Sequence, residues 1–321
     1  MNKKRNLVIV IPGDDPPQIT GSPHLDRLRS VAEVILYQER PNSSHEKIER
    51  VSVADIMINT RSMVTWPADV LHALPKLKMI ATCTAGVDSI DMQAAKELGI
   101  TVCNQPGRNA PAVAEHMFGL MLSVAKNAVR QTQQLKKGIW TESKNIYLRG
   151  KTLGIIGTGY IGQEMARLGQ AIGMNVIAWT YNPSEEKARK FNLEYVPFKE
   201  LLSVSDVISL HVKLTADSKY LIGEKEFGLM KPSTILVNGA RGDVVDMQAL
   251  VSALKTGAIM GAALDVFDIE PLPNDHAILA CDNIALTPHH ADQTPEAMEW
   301  LNEGAVDNIL AYINGTPNNV V

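Results

Sequence analysis

A glycine-rich segment is the part of the sequence whose residue types and spacing point most directly to a ligand. It follows an apolar run and opens a helical pattern, and it comprises Gly157, Thr158, Gly159, Tyr160, Ile161 and Gly162. In that setting the first glycine permits a tight turn, the second lets a pyrophosphate approach the backbone, and the third lets the helix pack close to the strand. The N-terminus of the helix attracts the phosphate charge. The segment therefore predicts a dinucleotide site, with a ligand-free glycine-rich turn as the alternative.

The end of the following strand bears on which dinucleotide is bound. An acidic residue about 20 positions further on binds the ribose hydroxyls, and its charge repels a 2′-phosphate. Here the predicted strand Asn175–Thr180 ends without a carboxylate, so that Thr180 stands at the ribose position. No arginine stands at that point to hold a phosphate either. We predict NAD as the cofactor and leave NADP open.

Three further side chains, Arg241, Glu270 and His289, each follow a predicted strand, where open parallel sheets bind ligands. The planar guanidinium of Arg241 can hold a carboxylate and polarise a neighbouring carbonyl oxygen. The imidazole of His289 suits reversible proton transfer, because histidine has an unperturbed pKa of about 6.5. Glu270 can orient that ring and favour its protonated form. Taken singly, each residue has an ordinary alternative interpretation, namely a turn arginine, a loop glutamate or an interior histidine, and for Glu270 alone that interpretation is favoured.

The elements that must position these residues are short apolar runs alternating with helical patterns. The first series of runs is Leu7–Ile11, Val34–Tyr37, Ile56–Asn59, Met79–Thr82 and Thr101–Cys103. The second series is Thr152–Ile156, Asn175–Thr180, Val207–His211, Thr234–Asn238, Gly261–Asp265 and Asn283–Leu286. Predicted helices include Ala112–Lys136, Ile161–Ile172 and Met247–Thr256. Near-continuous apolar runs between helices predict an α/β protein with two doubly wound parallel sheets.

Bulk composition limits the function classes. A chain of 321 residues favours two domains. The net charge is −4 and the basic residues are scattered, so we expect no nucleic-acid partner and no anionic membrane surface. No apolar run approaches the roughly 18 residues of a membrane helix. Cys83, Cys103 and Cys281 lack the spacing of metal ligands, so we expect no metal site and a reducing, cytoplasmic location.

Six motifs resemble those of the D-isomer-specific 2-hydroxyacid dehydrogenase family, in the same order and over nearly the whole chain. They are Ala85–Asp91, Val113–His116, Gly157–Gly162, Val237–Gly242, Ala263–Phe267 continued by Glu270–Pro273, and Thr287–His289. The resemblance implies hydride transfer between NAD(P)(H) and a small D-2-hydroxy acid/2-keto acid pair of the hydroxypyruvate, glyoxylate or phosphoglycerate type. His290 follows His289 directly, and the Thr-Pro-His context favours His289 as the proton-transfer residue.

The resemblance also implies a role for each candidate residue. The catalytic residues are Arg241, Glu270 and His289. The cofactor-binding residues are Gly157, Thr158, Gly159, Tyr160, Ile161, Gly162, Thr180, His211, Ala240 and Asp265. The substrate-binding residues are Arg61, Ala85, Gly86, Val87 and Arg241.

The architecture implied by the resemblance is a Rossmann cofactor domain inserted into a flavodoxin-like substrate domain. The predicted substrate domain comprises 1–103 and 291–321, and the predicted cofactor domain 104–290. A homodimer is expected through the helix Ala112–Lys136 with its extension to Arg149. Two alternatives on the same fold remain open. One is a dinucleotide-sensing corepressor without enzymatic activity, and the other is a formate dehydrogenase.

Overall fold

Two parallel β-sheets organise the computed structural model of the chain, which describes residues 7–140 and 142–321. One unit runs to Asn109 and resumes at Gln293, and the other comprises Ala110–Asp292. Residues 104–109, which the predicted bounds assign to the cofactor domain, lie within the first unit. Their backbone is tied there, because Asn104 donates to the Asn319 carbonyl and Gln105 donates to the Thr84 carbonyl.

The first sheet has the strand order β2-β1-β3-β4-β5, and every pairing within it is parallel. Its strands are β1 Val8–Ile11, β2 Glu33–Leu36, β3 Ile56–Asn59, β4 Met79–Thr82 and β5 Thr101–Cys103. The helices of this unit are α1 His24–Arg29, α2 Ser44–Val51, α3 Ala68–His72, α4 Met92–Glu97 and α12 Pro295–Ile313. This is the flavodoxin-like order, in which the direction of winding reverses beside the first strand.

The second sheet has the order β12-β11-β10-β9-β6-β7-β8, again entirely parallel. Its strands are β6 Thr152–Ile156, β7 Asn175–Trp179, β8 Glu194–Tyr195, β9 Val207–Leu210, β10 Ile235–Asn238, β11 Gly261–Leu264 and β12 Ile284–Leu286. The order reverses between β6 and β9, as in a Rossmann fold, and ligands of such sheets bind at the carboxyl ends of the strands near that reversal. The predicted fold class is confirmed.

Helices cover the second sheet and complete its core. They are α5 Ala110–Ala125, α6 Ala128–Lys136, α7 Tyr160–Ala171, α8 Glu185–Phe191, α9 Phe198–Val204, α10 Glu224–Phe227 and α11 Met247–Thr256, with 3-10 turns at Gly242–Val244 and Ala277–Ala280. Helix α5 packs against α7 and against β10, β11 and β12. Its buried side chains include Val113, Met117 and Met121, which join the apolar cluster under these strands. The strands that end near Arg241, Glu270 and His289 therefore rest on one long helix.

The predicted helix Ala112–Lys136 is wrong as a single element, because the chain breaks between α5 and α6. Asn127 adopts a left-handed conformation with φ +51°, which asparagine tolerates better than most residues. Its side-chain amide donates to the Lys144 carbonyl at 3.1 Å, and the Lys126 ammonium donates to the Ile146 carbonyl. The contacts at the break come from residues 144 and 146, so the interruption depends on a segment that follows later in the chain.

Strand ends also differ from the predictions at three positions that matter for the site. Thr180, His211 and Asp265 were predicted as the last residues of their strands, and each lies just beyond the observed strand. The amides of His211 and Asp265 still donate to the neighbouring strands, to the Ile156 and Asn238 carbonyls, so these two residues close the ends of their ladders. The edge strand β8 was not predicted, since two partly polar residues carry no periodic signal.

Within residues 7–140 and 142–321, no helix combines the length and apolar character needed to cross a bilayer. The same residues hold no group of three or more His, Cys, Asp or Glu side chains placed to share a metal ion. Cys83, Cys103 and Cys281 are buried and free of disulfides. Burial raises the pKa of all three thiols, that of Cys103 to about 11, so they stay protonated at neutral pH.

Candidate active site

The three glycines of the turn after β6 are needed for different reasons. Gly157 has φ +98°, and a Cβ there would meet the His211 carbonyl carbon at 2.7 Å. A Cβ at Gly162 would lie 2.0 Å from the Gly157 carbonyl oxygen. A Cβ at Gly159 would meet nothing within 4 Å, and its φ of −72° suits any residue. The fold itself therefore requires Gly157 and Gly162, whereas Gly159 leaves an open cradle at the N-terminus of α7 that fits an approaching pyrophosphate.

The other residues of the turn divide between the fold and the surface. Thr158 is buried, and its hydroxyl lies 2.9 Å from the Tyr195 hydroxyl on β8. The Thr158 carbonyl accepts from the Lys187 ammonium at 3.4 Å. Tyr160 is exposed and Ile161 is partly buried against the core. With its side chain turned inward, Thr158 has only its backbone to offer to a ligand.

His211 stands at the reversal of strand order, where its backbone abuts Gly157. The ring Nε2 lies 2.8 Å from the Ser209 hydroxyl, while the buried Nδ1 has no hydrogen-bond partner. Burial lowers the pKa of His211 to about 3, so the ring is neutral at physiological pH. Buried polar atoms are nearly always paired. The orphaned Nδ1 therefore fits a site whose remaining partner belongs to a bound group, as the prediction of a dinucleotide requires.

Thr180 lies directly after β7, at the same carboxyl edge as the glycine turn. The next residue, Tyr181, stacks edge-on against Trp179 at 4.8 Å and donates its hydroxyl proton to the Asp217 carbonyl at 3.0 Å. Thr180 itself is half-buried. The ribose end of the predicted cofactor site thus presents a hydroxyl where many dinucleotide sites present a carboxylate.

Arg241, Glu270 and His289 follow β10, β11 and β12, which are neighbours in the sheet. Nδ1 of His289 lies 2.7 Å from Oε2 of Glu270, and Oε1 of Glu270 accepts the Phe267 amide at 2.9 Å. Each oxygen of the Glu270 carboxylate therefore accepts a hydrogen bond, which fixes the orientation of the group. Because Nδ1 is engaged by Glu270, proton exchange with another molecule falls to Nε2 of His289.

The electrostatics of the pair favour a charged imidazole. The hydrogen bond to Glu270 raises the pKa of His289 and outweighs burial, which acts in the opposite direction. Burial opposes ionisation of Glu270, but the hydrogen bonds from His289 and from the Phe267 amide prevail and leave the pKa of Glu270 lowered. The positive charge of Arg241 lowers both pKa values by a smaller amount. An imidazolium–carboxylate pair is therefore the favoured state.

A buried asparagine holds the turn that carries Arg241. The Asn238 side chain accepts the Ala240 amide at 3.0 Å and donates to the Arg241 carbonyl at 3.0 Å. One guanidinium nitrogen of Arg241 donates to the Ala240 carbonyl at 2.7 Å. A Cβ at Gly242 would lie 1.9 Å from the Phe267 carbonyl oxygen. The glycine after Arg241 therefore lets this turn lie against the loop that leads to Glu270.

Asp265 is almost fully buried, and its carboxylate accepts three hydrogen bonds from the segment around His289. Oδ1 accepts the Thr287 hydroxyl at 2.5 Å and the His290 amide at 2.9 Å, and Oδ2 accepts the Ala291 amide at 2.9 Å. His290 thus meets Asp265 through its backbone, whereas the ring paired with Glu270 is that of His289. The predicted contact of Asp265 with the cofactor stays a prediction beside this observed role.

The residues predicted to bind substrate from the first unit lie at the carboxyl edge of its sheet. Arg61 and Ser62 follow β3 with left-handed φ values of 55° and 53°, and the backbone at 85–87 follows β4. The Ser62 hydroxyl lies 2.8 Å from the Thr84 hydroxyl, which donates to the Gly86 carbonyl at 2.9 Å. The Asn104 amide donates to the Ala85 carbonyl at 2.7 Å. The two predicted loops are therefore joined within this unit.

Sequence reasoning missed Asn238, Thr287 and Tyr195, which contact the turns of the second unit. Each is an uncharged polar residue in or beside an apolar run. The one sequence signal for such a residue is that a polar group buried in an apolar run must find a hydrogen-bond partner. That signal was present for Asn238, the polar last residue of β10. It gave no indication of which backbone groups would be bound.

Comparisons with known proteins identify the relatives of this chain. Residues 118–291 match the family model described as "D-isomer specific 2-hydroxyacid dehydrogenase, NAD binding domain". The chain is 40% identical over 286 residues to a glyoxylate reductase of Thermococcus litoralis, covering 85% of each chain. It is 38% identical over 301 residues to a D-3-phosphoglycerate dehydrogenase of Methanocaldococcus jannaschii, covering 92% of this chain and 57% of that protein.

A solved structure agrees over nearly the full length. The acyclic imino acid reductase Bsp5, in complex with NADPH and D-Arg, superposes with a TM-score of 0.89 at 31% identity and covers 98% of this chain and 100% of the other. Fold, ordered motifs and whole-chain similarity lead to one family. The chain belongs to the D-isomer specific 2-hydroxyacid dehydrogenase family and is an NAD-dependent enzyme of that type.

Proposed function

We propose that the chain interconverts a small 2-keto acid and its D-2-hydroxy acid, with glyoxylate, hydroxypyruvate and phosphohydroxypyruvate as the candidate keto acids. The observation that carries the proposal is the 2.7 Å pair of His289 and Glu270 at a strand edge beside the Arg241 turn. NAD(H), which the glycine turn with its open position at Gly159 would hold, would supply or take the hydride at C2 of the substrate. The chain's own residues must hold the acid and move one proton.

Arg241 is assigned to the substrate's carboxylate and keto oxygen. A guanidinium presents a planar fork that matches a carboxylate, and its charge polarises an adjacent carbonyl. Asn238 fixes the backbone of this turn through two hydrogen bonds of 3.0 Å. The backbone that carries Arg241 is therefore ordered before substrate binds, which lowers the entropy cost of binding.

His289 is assigned as the acid in reduction and the base in oxidation. In reduction Nε2 gives its proton to the keto oxygen as the hydride reaches C2, which yields the hydroxyl group of the product. Glu270 stays ionised and stabilises the imidazolium, because its pKa is lowered while that of His289 is raised. The ring then regains its proton from solvent. One hydride and one proton are added to the keto acid, and the reverse reaction removes both.

The raised pKa of His289 sets the pH dependence. Reduction needs the imidazolium, so its rate is retained below the folded-state pKa and falls as the pH rises through it. Because that pKa lies above the ordinary histidine value, the fall occurs at higher pH than an isolated histidine would give. Oxidation needs the neutral ring and therefore has the opposite dependence.

The test of the proposal is a matrix of glyoxylate, hydroxypyruvate, phosphohydroxypyruvate and pyruvate against NADH and NADPH, read by absorbance. We expect turnover of at least one keto acid. No turnover with either cofactor would overturn the proposal, and cofactor binding without turnover would favour the corepressor alternative. Formate with NAD is included as a control, since formate-oxidising members pair the histidine with glutamine, whereas this chain has Glu270.

Adjacent histidines provide a matched pair of variants. We expect His289→Gln to lower kcat by roughly a hundredfold or more, the usual contribution of a positioned acid or base. His290→Gln keeps its backbone bond to Asp265 and should stay within a few-fold of the wild type. Equal losses in both variants would show that the proton-transfer residue was wrongly chosen. Arg241→Gln should raise KM for the keto acid and lower kcat together.

We further propose that the chain is a cytoplasmic homodimer that uses α5, α6 and the segment to Arg149. Among the described residues of this region, five large apolar side chains are exposed: Val129, Leu135, Ile139, Trp140 and Tyr147, with Trp140 at 86%. Large apolar and aromatic side chains exposed in one part of a chain are typical of a subunit interface. Sedimentation analysis should give a dimer, and Trp140→Glu should shift it toward the monomer. A wild-type monomer at high concentration would refute the dimer.

A further inference from the structure

His116 on helix α5 was not assigned a role in the reaction, yet the structure connects it to the turn that carries His289. Its Nε2 lies 2.9 Å from the Thr287 hydroxyl and 3.7 Å from Oδ1 of Asp265. The ring is partly exposed, with 27% of its side-chain surface accessible, whereas Asp265 is buried. Thr287 stands two residues before His289, so a histidine on a distant helix contacts the base of the catalytic turn.

The direction of each hydrogen bond follows from the number of protons available. The Asp265 carboxylate accepts the amides of His290 and Ala291 as well as the Thr287 hydroxyl. A hydroxyl has one proton, and the 2.5 Å bond to Asp265 uses it. The Thr287 oxygen must therefore accept at its contact with His116. His116 accordingly carries a proton on Nε2 and donates it to Thr287.

These hydrogen bonds hold the chain on both sides of His289. We call the set formed by Asp265, Thr287 and the amides of His290 and Ala291 the Asp265 bracket. Thr287 accepts the His289 amide through its own carbonyl at 3.1 Å, and Asp265 binds Thr287 before it and His290 and Ala291 after it. His289 itself has φ +55°, a conformation that residues other than glycine adopt rarely. Such a conformation persists only where the surroundings hold it on every side. The bracket is therefore what keeps the imidazole aimed at Glu270.

Helix α5 gives the bracket a rigid anchor. It has 16 residues and packs on β10, β11 and β12, the strands that end at the three predicted catalytic residues. The neighbour of His116, Met117, is fully buried against this core. A donor on a packed helix holds a fixed position, whereas the segment after β12 leaves the sheet after the Thr287 amide, which donates to the Leu264 carbonyl at 3.0 Å. The imidazole of His116 thus links the segment that carries His289 to a packed helix.

We propose that His116 is a positioning residue for His289, acting through the Nε2–H bond to Thr287 that completes the Asp265 bracket. The inference rests on the proposed function in one respect, because it takes His289 as the proton-transfer residue. It predicts that removing the His116 donor loosens the pairing of His289 with Glu270 and leaves cofactor binding intact.

The decisive measurement is the titration of the His289 ring by histidine-labelled NMR, assigned with His289→Gln. Glu270, Arg241 and Asp265 are the charged groups that act on this ring, and none of them is altered in the variants. In His116→Ala we expect the titration midpoint of His289 to fall toward the ordinary value, because the pairing with Glu270 weakens. In His116→Gln, whose amide can still donate to Thr287, we expect the midpoint to stay near that of the wild type.

Kinetics supply a second readout. His116→Ala should lower kcat for keto-acid reduction by about tenfold, the loss expected when one hydrogen bond that holds a catalytic group is removed. The dissociation constant for NADH should stay within twofold. His116→Gln should restore most of kcat. Ser123→Ala on the same helix, which removes only an intrahelical bond to Gly119, is the matched control and should change neither quantity.

Thr287→Val and Thr287→Ser extend the test if a His116 variant folds poorly. Valine removes the hydroxyl and should lower the His289 midpoint, whereas serine retains it and should not. The double variant His116→Ala/Thr287→Val should be no worse than Thr287→Val alone, because both act through one contact.

An unchanged His289 midpoint in His116→Ala, or failure of His116→Gln to restore it, would overturn the positioning role and leave a merely structural histidine. A wild-type chain without turnover of any 2-keto acid would instead refute the proposed function. The NMR titration is independent of turnover, so the two failures are distinguishable.

Discussion

Two alanine substitutions in the glycine turn should separate an effect on stability from an effect on NADH binding. Gly159→Ala places a methyl group where the chain has no atom within 4 Å, whereas Gly162→Ala places one 2.0 Å from the Gly157 carbonyl oxygen. The first change therefore alters the surface offered to a pyrophosphate, and the second forces backbone apart. The same chemical substitution, three residues apart, should have opposite consequences.

The magnitudes follow from those distances. Alanine at the helix N-cap position of Gly159 should cost about 1 kcal/mol or less, which is about 2–4 °C in Tm for a domain of this size. At Gly162 the contact is with backbone, so we expect about 3 kcal/mol, the upper part of the overpacking range. A methyl that displaces one charge-assisted phosphate bond removes about 1.5–3 kcal/mol of binding, so Kd for NADH should rise about 10- to 100-fold in Gly159→Ala.

Thermal unfolding and NADH titration by fluorescence measure the two quantities on each variant. We expect Gly159→Ala to lose no more than about 2–4 °C in Tm while losing affinity for NADH, and Gly162→Ala to lose several times as much in Tm. Wild-type NADH affinity in a folded Gly159→Ala protein would refute the assignment of the open cradle at the start of α7 to the pyrophosphate. Equal thermal losses in the two variants would refute the steric reasoning.

Three further predictions concern the catalytic turn, its partner and the ribose end of the site. Glu270→Gln removes the charge that raises the pKa of His289, so the alkaline fall of kcat/KM for reduction should move to lower pH; an unmoved profile would contradict the pairing. Thr180→Asp should raise KM for NADPH by about tenfold or more through charge repulsion while sparing NADH, and equal changes for both cofactors would exclude a ribose contact. Asn238→Ala removes two hydrogen bonds from the Arg241 turn, so urea unfolding should show a loss of about 1–3 kcal/mol, with a matching fall in kcat/KM; unchanged stability would show that the turn holds itself.

Local sequence determined the strands because a buried parallel strand is a short, near-continuous apolar run. Ile56–Asn59, Met79–Thr82 and Thr152–Ile156 were predicted with the bounds that the structure has. The glycine spacing determined the turn after β6, since a positive φ at Gly157 and a close approach at Gly162 exclude a side chain.

The proximity of Glu270 and His289 could also be anticipated from sequence. Parallel strands in one sheet end at one edge, so residues that follow β11 and β12 must lie near each other. The 2.7 Å distance between Nδ1 and Oε2 could not be anticipated, because it depends on how the intervening loop returns after Pro271. Their catalytic roles, and those of Arg61 and the backbone at 85–87, remain predictions.

What only the tertiary structure decided are the contacts between residues far apart in the chain. His116 and Thr287 are 171 positions apart, and no periodicity or motif relates them. The same holds for Asn127, whose left-handed conformation depends on the segment near Lys144. Sequence alone specified which chemical groups follow each strand, because side-chain type is read directly from the sequence and parallel strands end at a common edge. Orientation came from buried polar groups that had to find partners, and only the folded chain shows where those partners are.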